Sequence, residues 1–180
     1  IFYKTDMHWT TAGAKEMAEA VAAKVKALPE YGALPKIEFV TEKVKDGINE
    51  GHYGEALNGI CHQKLADEKS LQERTKPKDA GHDKGALFDD KGFPDVVLVG
   101  TSNSNRDDFD LNFSGSLKQA MSLDLYNGAI AGGGIDDAIL AYLSSDMYKK
   151  KPAKILIWEI PGYYNLNGDA MRDALKQAIP

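Results

Sequence analysis

Cysteine occurs once in 180 residues, as Cys61, so the chain carries no internal disulfide framework. The bland expectation for a lone cysteine is a small buried hydrophobe; a partner outside these residues is the alternative. No apolar run approaches the ~18 residues of a membrane-spanning helix. A basic excess is missing as well. Lys and Arg number 22 against 27 Asp and Glu, a formal net charge of −5. That balance argues against nucleic acid as a partner and against a basic membrane-binding face, while leaving room for a local basic groove. Metal-ligand spacing is lacking too. His52, His62 and His82 stand at no coordinating interval from acids, and Asp107, Asp108 and Asp110 read as a solvated loop. No metal is assigned. There is no signal-peptide pattern. Ile1-Phe2-Tyr3-Lys4 reads as a strand already under way, so a fragment is expected, with any targeting segment upstream.

What is present is the composition of a soluble globular protein, 43% hydrophobic and 27% charged, with a length that suits one domain over residues 1–180. Helix and strand signals alternate, which indicates an α/β fold. Thr10 or Thr11 caps a helix to about Leu28, with Ala14, Met17, Ala18, Val21, Val25 and Leu28 as its apolar stripe. A short strand follows at 37–40. Residues 45–93 are rich in Lys, Asp, Glu and Gly and show no periodicity; 76–85 reads as an exposed loop. Asp95 to Gly100 is a nearly continuous β-branched run, the signature of a buried parallel strand. A helix at 115–122, a strand at 123–130, a turn at Gly132-Gly133-Gly134, a helix at 135–148, a strand at 153–160 and a terminal helix at 168–179 complete the reading. Strand-helix-strand-helix-strand from 95 to 160 implies a parallel sheet.

Ser102 lies just past the strand ending at Val99-Gly100, where open parallel sheets place their sites. A serine there more often caps the next turn, so position alone favours capping. The opposite end of the chain changes the balance. Asp6 and His8 offer a carboxylate to orient an imidazole and an imidazole to take a hydroxyl proton. Trp9 beside them either walls a pocket or is core. Gly132, Gly133 and Gly134 could turn backbone N–H groups toward an oxyanion. They do not form a dinucleotide loop, since Asp136 and Asp137 follow. Tyr163 and Tyr164, after the last strand, offer a donor or a stacking surface. Asn103 extends the polar loop after Ser102.

Together these segments resemble a known family. Thr5-Asp6-Met7-His8-Trp9-Thr10, Leu98-Val99-Gly100-Thr101-Ser102-Asn103-Ser104, Asn112-Phe113-Ser114-Gly115-Ser116-Leu117-Lys118-Gln119-Ala120 and Ile157-Trp158-Glu159-Ile160-Pro161 are similar, in order, to segments of the AlgJ/AlgX group of alginate O-acetyltransferases. The resemblance implies an SGNH-hydrolase-like three-layer α/β fold with a mostly parallel central sheet. Its chain order is rearranged, so that the Asp/His pair precedes the serine. It implies the triad Asp6, His8 and Ser102, an acetyl-serine intermediate, and acetyl transfer to mannuronate hydroxyls. It also implies a periplasmic setting, with an inner-membrane anchor carried by a segment outside this chain. No cofactor is expected beyond an acetyl donor. Expected partners are polymannuronate or an acetyl-donor protein of a membrane-associated complex. Two departures fall on substrate contacts: Gly162 and Tyr163 replace an acidic-arginine pair, and Asn105-Arg106-Asp107-Asp108 replaces an aromatic-rich stretch. The absence of a carbohydrate-binding domain from these residues points to the AlgJ side. An acetylesterase of the same fold, and a non-catalytic polysaccharide-binding or scaffold module, are the competing functions.

Overall fold

The computed structural model describes residues 1–49, 51–62, 66–79, 93–105, 111–164, 172–173 and 175–176. In chain order these form α1 (Thr11–Lys26), a 3-10 turn (Pro29–Ala33), β1 (Phe39–Asn49), α2 (Gly54–Cys61), β2 (Glu68–Pro77), β3 (Val96–Val99), α3 (Ser102–Asn105), α4 (Phe113–Met121), β4 (Tyr126–Asn127), α5 (Asp137–Ser144), α6 (Asp146–Lys150) and β5 (Ile155–Trp158). Two sheets result. One is a parallel sheet in the order β4-β3-β5, and the other an antiparallel ribbon of β1 and β2.

The central strand β3 shows why the fold is layered. All four of its residues are buried. Successive side chains of a strand point to opposite faces. Val96 and Leu98 accordingly join a core with Ala14, Ala18, Val25, Phe113 and Leu117 from α1 and α4. Val97 and Val99 join a second core with Ala138, Ile139, Tyr142 and Leu143 from α5. Each Val, Leu, Ile or Phe among them contributes about 1.5–3 kcal/mol by leaving water, and each Ala less. A strand that feeds helices on both faces must be apolar throughout, and that made it readable.

Helix α1 begins as expected, with the Thr10 hydroxyl accepting the Gly13 N–H at 3.0 Å. Its buried stripe is Thr11, Gly13, Ala14, Ala18, Ala22 and Val25. Met17 and Leu28, expected inside, are exposed. Other expectations are also corrected. Ile1 to Lys4 form no strand; Phe2 makes only an isolated bridge to Trp9. Cys61 is exposed on α2 instead of buried. The strand expected at 123–130 pairs with β3 only at Tyr126 and Asn127. The helix expected at 135–148 breaks at Ser145, whose extended backbone (ψ 157°) ends α5. Its hydroxyl then accepts the Tyr148 N–H at 3.2 Å and starts α6. The terminal helix expected at 168–179 lies mostly outside the described residues, as does most of the loop at 76–85.

The larger surprise is residues 39–77. A long ribbon pairs Phe39 with Pro77 and Asn49 with Glu68, with a bulge between Lys43 and Lys45. It is solvated on much of both faces, which hides the period-2 signal. The Thr11 hydroxyl donates to Leu71 O at 2.6 Å and ties the ribbon to the start of α1.

Candidate active site

Two loops converge where β3 ends. The first is the segment from Phe2 to Trp9. Its bridge is reinforced by Tyr3 N–H to His8 O at 3.3 Å and by Thr10 N–H to Ile1 O at 2.7 Å. Asp6 and His8 sit within the loop so closed. The second is the turn from β3 into α3, where Gly100 and Thr101 deliver Ser102.

The loops bring three side chains into line. His8 Nε2 lies 2.8 Å from Ser102 Oγ, across 94 positions of sequence. His8 Nδ1 lies 2.6 Å from Asp6 Oδ1, and the same oxygen accepts the His8 backbone N–H at 3.1 Å. Both side chains are almost sealed from solvent, 9% exposed for His8 and 5% for Asp6. Burial alone pushes the Asp6 carboxyl up. The hydrogen bonds from the His8 ring and backbone and the His8 charge outweigh it and hold Asp6 below its ordinary value. Asn49 adds a smaller pull, although its Nδ2 stops short of a well-formed hydrogen bond. An ionised carboxylate only accepts, so Nδ1 carries the proton and Nε2 presents its lone pair to the Ser102 hydroxyl. This arrangement can move the serine proton onto the imidazole and stabilise the cation that forms.

Each arm of the site is braced. On the Asp6 arm, Glu68 Oε2 accepts the N–H groups of Lys4 at 2.7 Å and Thr5 at 3.3 Å. Tyr53 N–H donates to Thr5 O at 2.9 Å. Gly51, at φ +77°, comes so close to Thr5 that a Cβ there would stand 2.6 Å from the Thr5 Cβ and 2.8 Å from its carbonyl oxygen. The charged ribbon is therefore the support of the segment that carries Asp6 and His8. On the Ser102 arm, Asn127 Nδ2 donates to Ser104 O at 2.7 Å and Asn105 Nδ2 to Ala129 O at 2.8 Å. Glu159 also reaches this turn.

A cavity of about 770 Å³ reaches the site through Asp6 and the chain neighbours of His8 and Ser102, and is lined by Asp6, Met7, Trp9, Tyr53, Asn103, Phe113, Trp158, Tyr163 and Tyr164, among others. Trp9 packs on Phe113 with ring centroids 4.7 Å apart. Tyr163 and Tyr164 pair at 4.8 Å. Partial burial raises the Tyr163 hydroxyl above its ordinary value, helped by Tyr164, Tyr53 and Glu159. Trp9 and Asn103 each carry a buried polar atom, Nε1 and Oδ1, without a hydrogen-bond partner among the described residues. Such atoms are uncommon and call for an explanation.

Of the residues singled out from sequence, Asp6, His8 and Ser102 meet, and Trp9, Asn103, Tyr163 and Tyr164 share the adjoining cavity. Gly132, Gly133 and Gly134 are not brought to its wall. The Gly133 N–H turns to Ile130 O at 3.4 Å, and the Gly133 carbonyl accepts from Asp137 N–H at the start of α5. Thr5, Asn49, Gly51, Tyr53, Glu68 and Glu159 were not anticipated. Of these, Thr5 and Glu159 stand in the family-like segments, Glu159 as a lone carboxylate at a strand end.

The family described as SGNH hydrolase-like domain, acetyltransferase AlgX, matches residues 1–162. The alginate biosynthesis protein AlgX of Pseudomonas fluorescens is 38% identical over 170 residues, covering 94% of this chain and 34% of that protein. The chain thus spans about a third of that relative's length. The solved structure of Pseudomonas aeruginosa AlgX superposes with a TM-score of 0.82 at 31% identity, over 98% of this chain and 40% of that one. The O-acetyltransferase domain of Pseudomonas putida AlgJ superposes with a TM-score of 0.74 at 26% identity, over 98% and 61%. A leaning to AlgJ is not resolved; the likeness to AlgX is the stronger of the two.

Proposed function

This chain belongs to the family of SGNH hydrolase-like acetyltransferase domains typified by AlgX, and on that premise we propose that it transfers acetyl groups to hydroxyls of an alginate-type polyuronate through an acetyl-Ser102 intermediate. The observation that carries the reading is the line Asp6–His8–Ser102, with contacts of 2.6 and 2.8 Å. His8 Nε2 takes the Ser102 proton as Oγ attacks the acetyl carbonyl of the donor. The tetrahedral intermediate collapses, and the leaving group departs with that proton. A sugar hydroxyl then attacks the acetyl-serine, giving its proton to His8, which returns it to Ser102 Oγ as the ester is released. Asp6 holds the imidazole and balances its charge in both halves. No metal or organic cofactor enters these steps; the acetyl donor is a second substrate.

The cavity suits the acceptor. Trp9, Tyr53, Tyr163 and Tyr164 offer flat apolar surfaces for a pyranose ring. The names of the relatives, alginate biosynthesis protein and O-acetyltransferase domain, support this acceptor class. Among the described residues no helix is long and apolar enough to cross a membrane. We place the reaction outside the cytoplasm, with polymannuronate or an acetyl-donor protein of a membrane complex as the partner.

The test is direct. The protein is incubated with an acetyl ester and mannuronate oligomers, and the sugars are read by mass spectrometry. Acetylated sugar that disappears in Ser102→Ala is the expected result. Free acetate with unmodified sugar assigns an esterase instead, and equal sugar acetylation in Ser102→Ala removes the catalytic reading.

A further inference from the structure

One carboxylate organises the turn that presents Ser102. Glu159 follows β5 directly, and its N–H donates to Val99 O at 2.9 Å, which continues the β3–β5 bonding one residue past Trp158. Its Oε2 accepts the Thr101 N–H at 2.8 Å, the Thr101 hydroxyl at 2.9 Å and the Ser104 hydroxyl at 3.1 Å. While its O–H donates to the carboxylate, the Thr101 hydroxyl oxygen accepts the Asn103 N–H at 3.3 Å. The N–H groups of Ser104 and Asn105 both turn to Thr101 O at 3.0 Å. From 101 to 105, then, every backbone N–H has an acceptor among the described residues except that of Ser102. Ser102 heads α3, where an N–H has no intrahelical acceptor, and it is the one donor of the turn that the carboxylate and Thr101 leave open.

Two details show that this carboxylate belongs to the turn. A Cβ on Gly100 would stand 2.6 Å from Glu159 Oε2 and 2.9 Å from the Glu159 Cβ, so only glycine lets the two approach. Three donors also converge on one oxygen. An ionised carboxylate carries that load better than an amide, whose carbonyl has two lone pairs and no charge.

We propose that Glu159 is the positioning residue of the nucleophile. It fixes the turn so that Ser102 Oγ stays in line with His8 Nε2 and the Ser102 N–H stays unspent, facing the oxygen that gains negative charge during acyl transfer. The inference rests on Ser102 being the nucleophile. Glu159 exchanges no proton with substrate and acts only through Thr101 and Ser104.

The experiment follows formation of acetyl-Ser102 from nitrophenyl acetate by stopped flow and mass spectrometry, with thermal melting in parallel. Wild type, Glu159→Gln, Glu159→Ala and Thr101→Val are compared in the full chain. Losing a fixed oxyanion donor lowers rate by about 100-fold, and that is the expected loss in acylation for Glu159→Ala, with KM changed less than about twofold. Glu159→Gln keeps one acceptor oxygen and recovers roughly tenfold of that loss. Thr101→Val leaves the carboxylate but frees the Asn103 N–H, and falls between wild type and Glu159→Ala. If Glu159→Ala does not fold, the other two variants decide. Folded Glu159 and Thr101 variants that acylate at the wild-type rate overturn this inference and leave the triad standing. A wild-type protein that acylates elsewhere than Ser102, or not at all, overturns both.

Discussion

Replacing Asp6 with asparagine separates its charge from its shape. Both His8 bonds fall on a single Asp6 oxygen, the ring Nδ1 at 2.6 Å and the backbone N–H at 3.1 Å. An asparagine with its carbonyl oxygen in that place still accepts both, so the imidazole keeps its tautomer and direction. What disappears is the negative charge facing the imidazolium that forms when His8 takes the Ser102 proton. With charge centres about 4 Å apart and an effective dielectric of about 20, the loss is about 4 kcal/mol. That corresponds to roughly 1,000-fold in acylation rate. Stopped-flow acylation by nitrophenyl acetate measures it. Stability gives an independent check with a definite sign. The folded-state pKa of Asp6 is lowered. Its contribution is therefore present above the unfolded value of about 3.9 and lost as pH falls through the lower folded value. The melting-temperature gap between wild type and Asp6→Asn should be full near neutrality and close below about pH 4. A folded Asp6→Asn protein within about tenfold of the wild-type rate would refute the assignment of the charge to transition-state stabilisation.

Three further outcomes follow from the packing. Gly51→Ala places a side chain at φ +77° against Thr5; it should cost about 2–4 kcal/mol in urea unfolding and slow acylation, because Thr5 leads into Asp6. An unchanged urea midpoint and rate would mean that the ribbon does not brace this arm. Leu98→Ala, at a fully buried position of β3, should cost about 2–5 kcal/mol with an unchanged denaturant slope, and a loss below about 1 kcal/mol would contradict a close-packed strand there. Tyr163→Ala, at a side chain 64% exposed, should leave nitrophenyl acetate turnover intact while raising KM for mannuronate oligomers about 5- to 10-fold, the scale of one lost ring contact. Equal KM values would remove Tyr163 from the acceptor surface.

Legibility in the sequence followed the reach of each interaction. β3 could be read because a strand buried on both faces has to be apolar at every position, and Val96 to Val99 are. α1 could be read from its Thr10 cap, but its stripe was drawn one sector off. Alanine is a weak apolar signal, so Met17 was counted inward while Ala22 held the buried place. The ribbon escaped because Glu42, Lys43, Lys45 and Asp46 are exposed, and its strands pair through backbone partners far apart in sequence, such as Phe39 with Pro77. The contact of Asp6, His8 and Ser102 was legible because proton transfer restricts the residue types that can perform it, and these three are of those types. Glu68 and Glu159 were not, since both bind backbone N–H groups and backbone is the same at every position. The glycines at 132–134 lie away from the cavity wall. A run of glycine permits many N–H directions and specifies none.

The line from Asp6 to Ser102 joins a short loop, cinched by one bridge between Phe2 and Trp9, to a turn 94 residues further on. Closing so long a span costs chain entropy before the contact returns anything. On the proposed mechanism Ser102 is activated only in chains that have completed this closure. Refolding chains that have formed their helices but not this closure would carry an ordinary, inert hydroxyl. A serine-directed covalent label, added at intervals during refolding, then counts finished molecules one by one, and chemical reactivity becomes a clock for the completion of the fold.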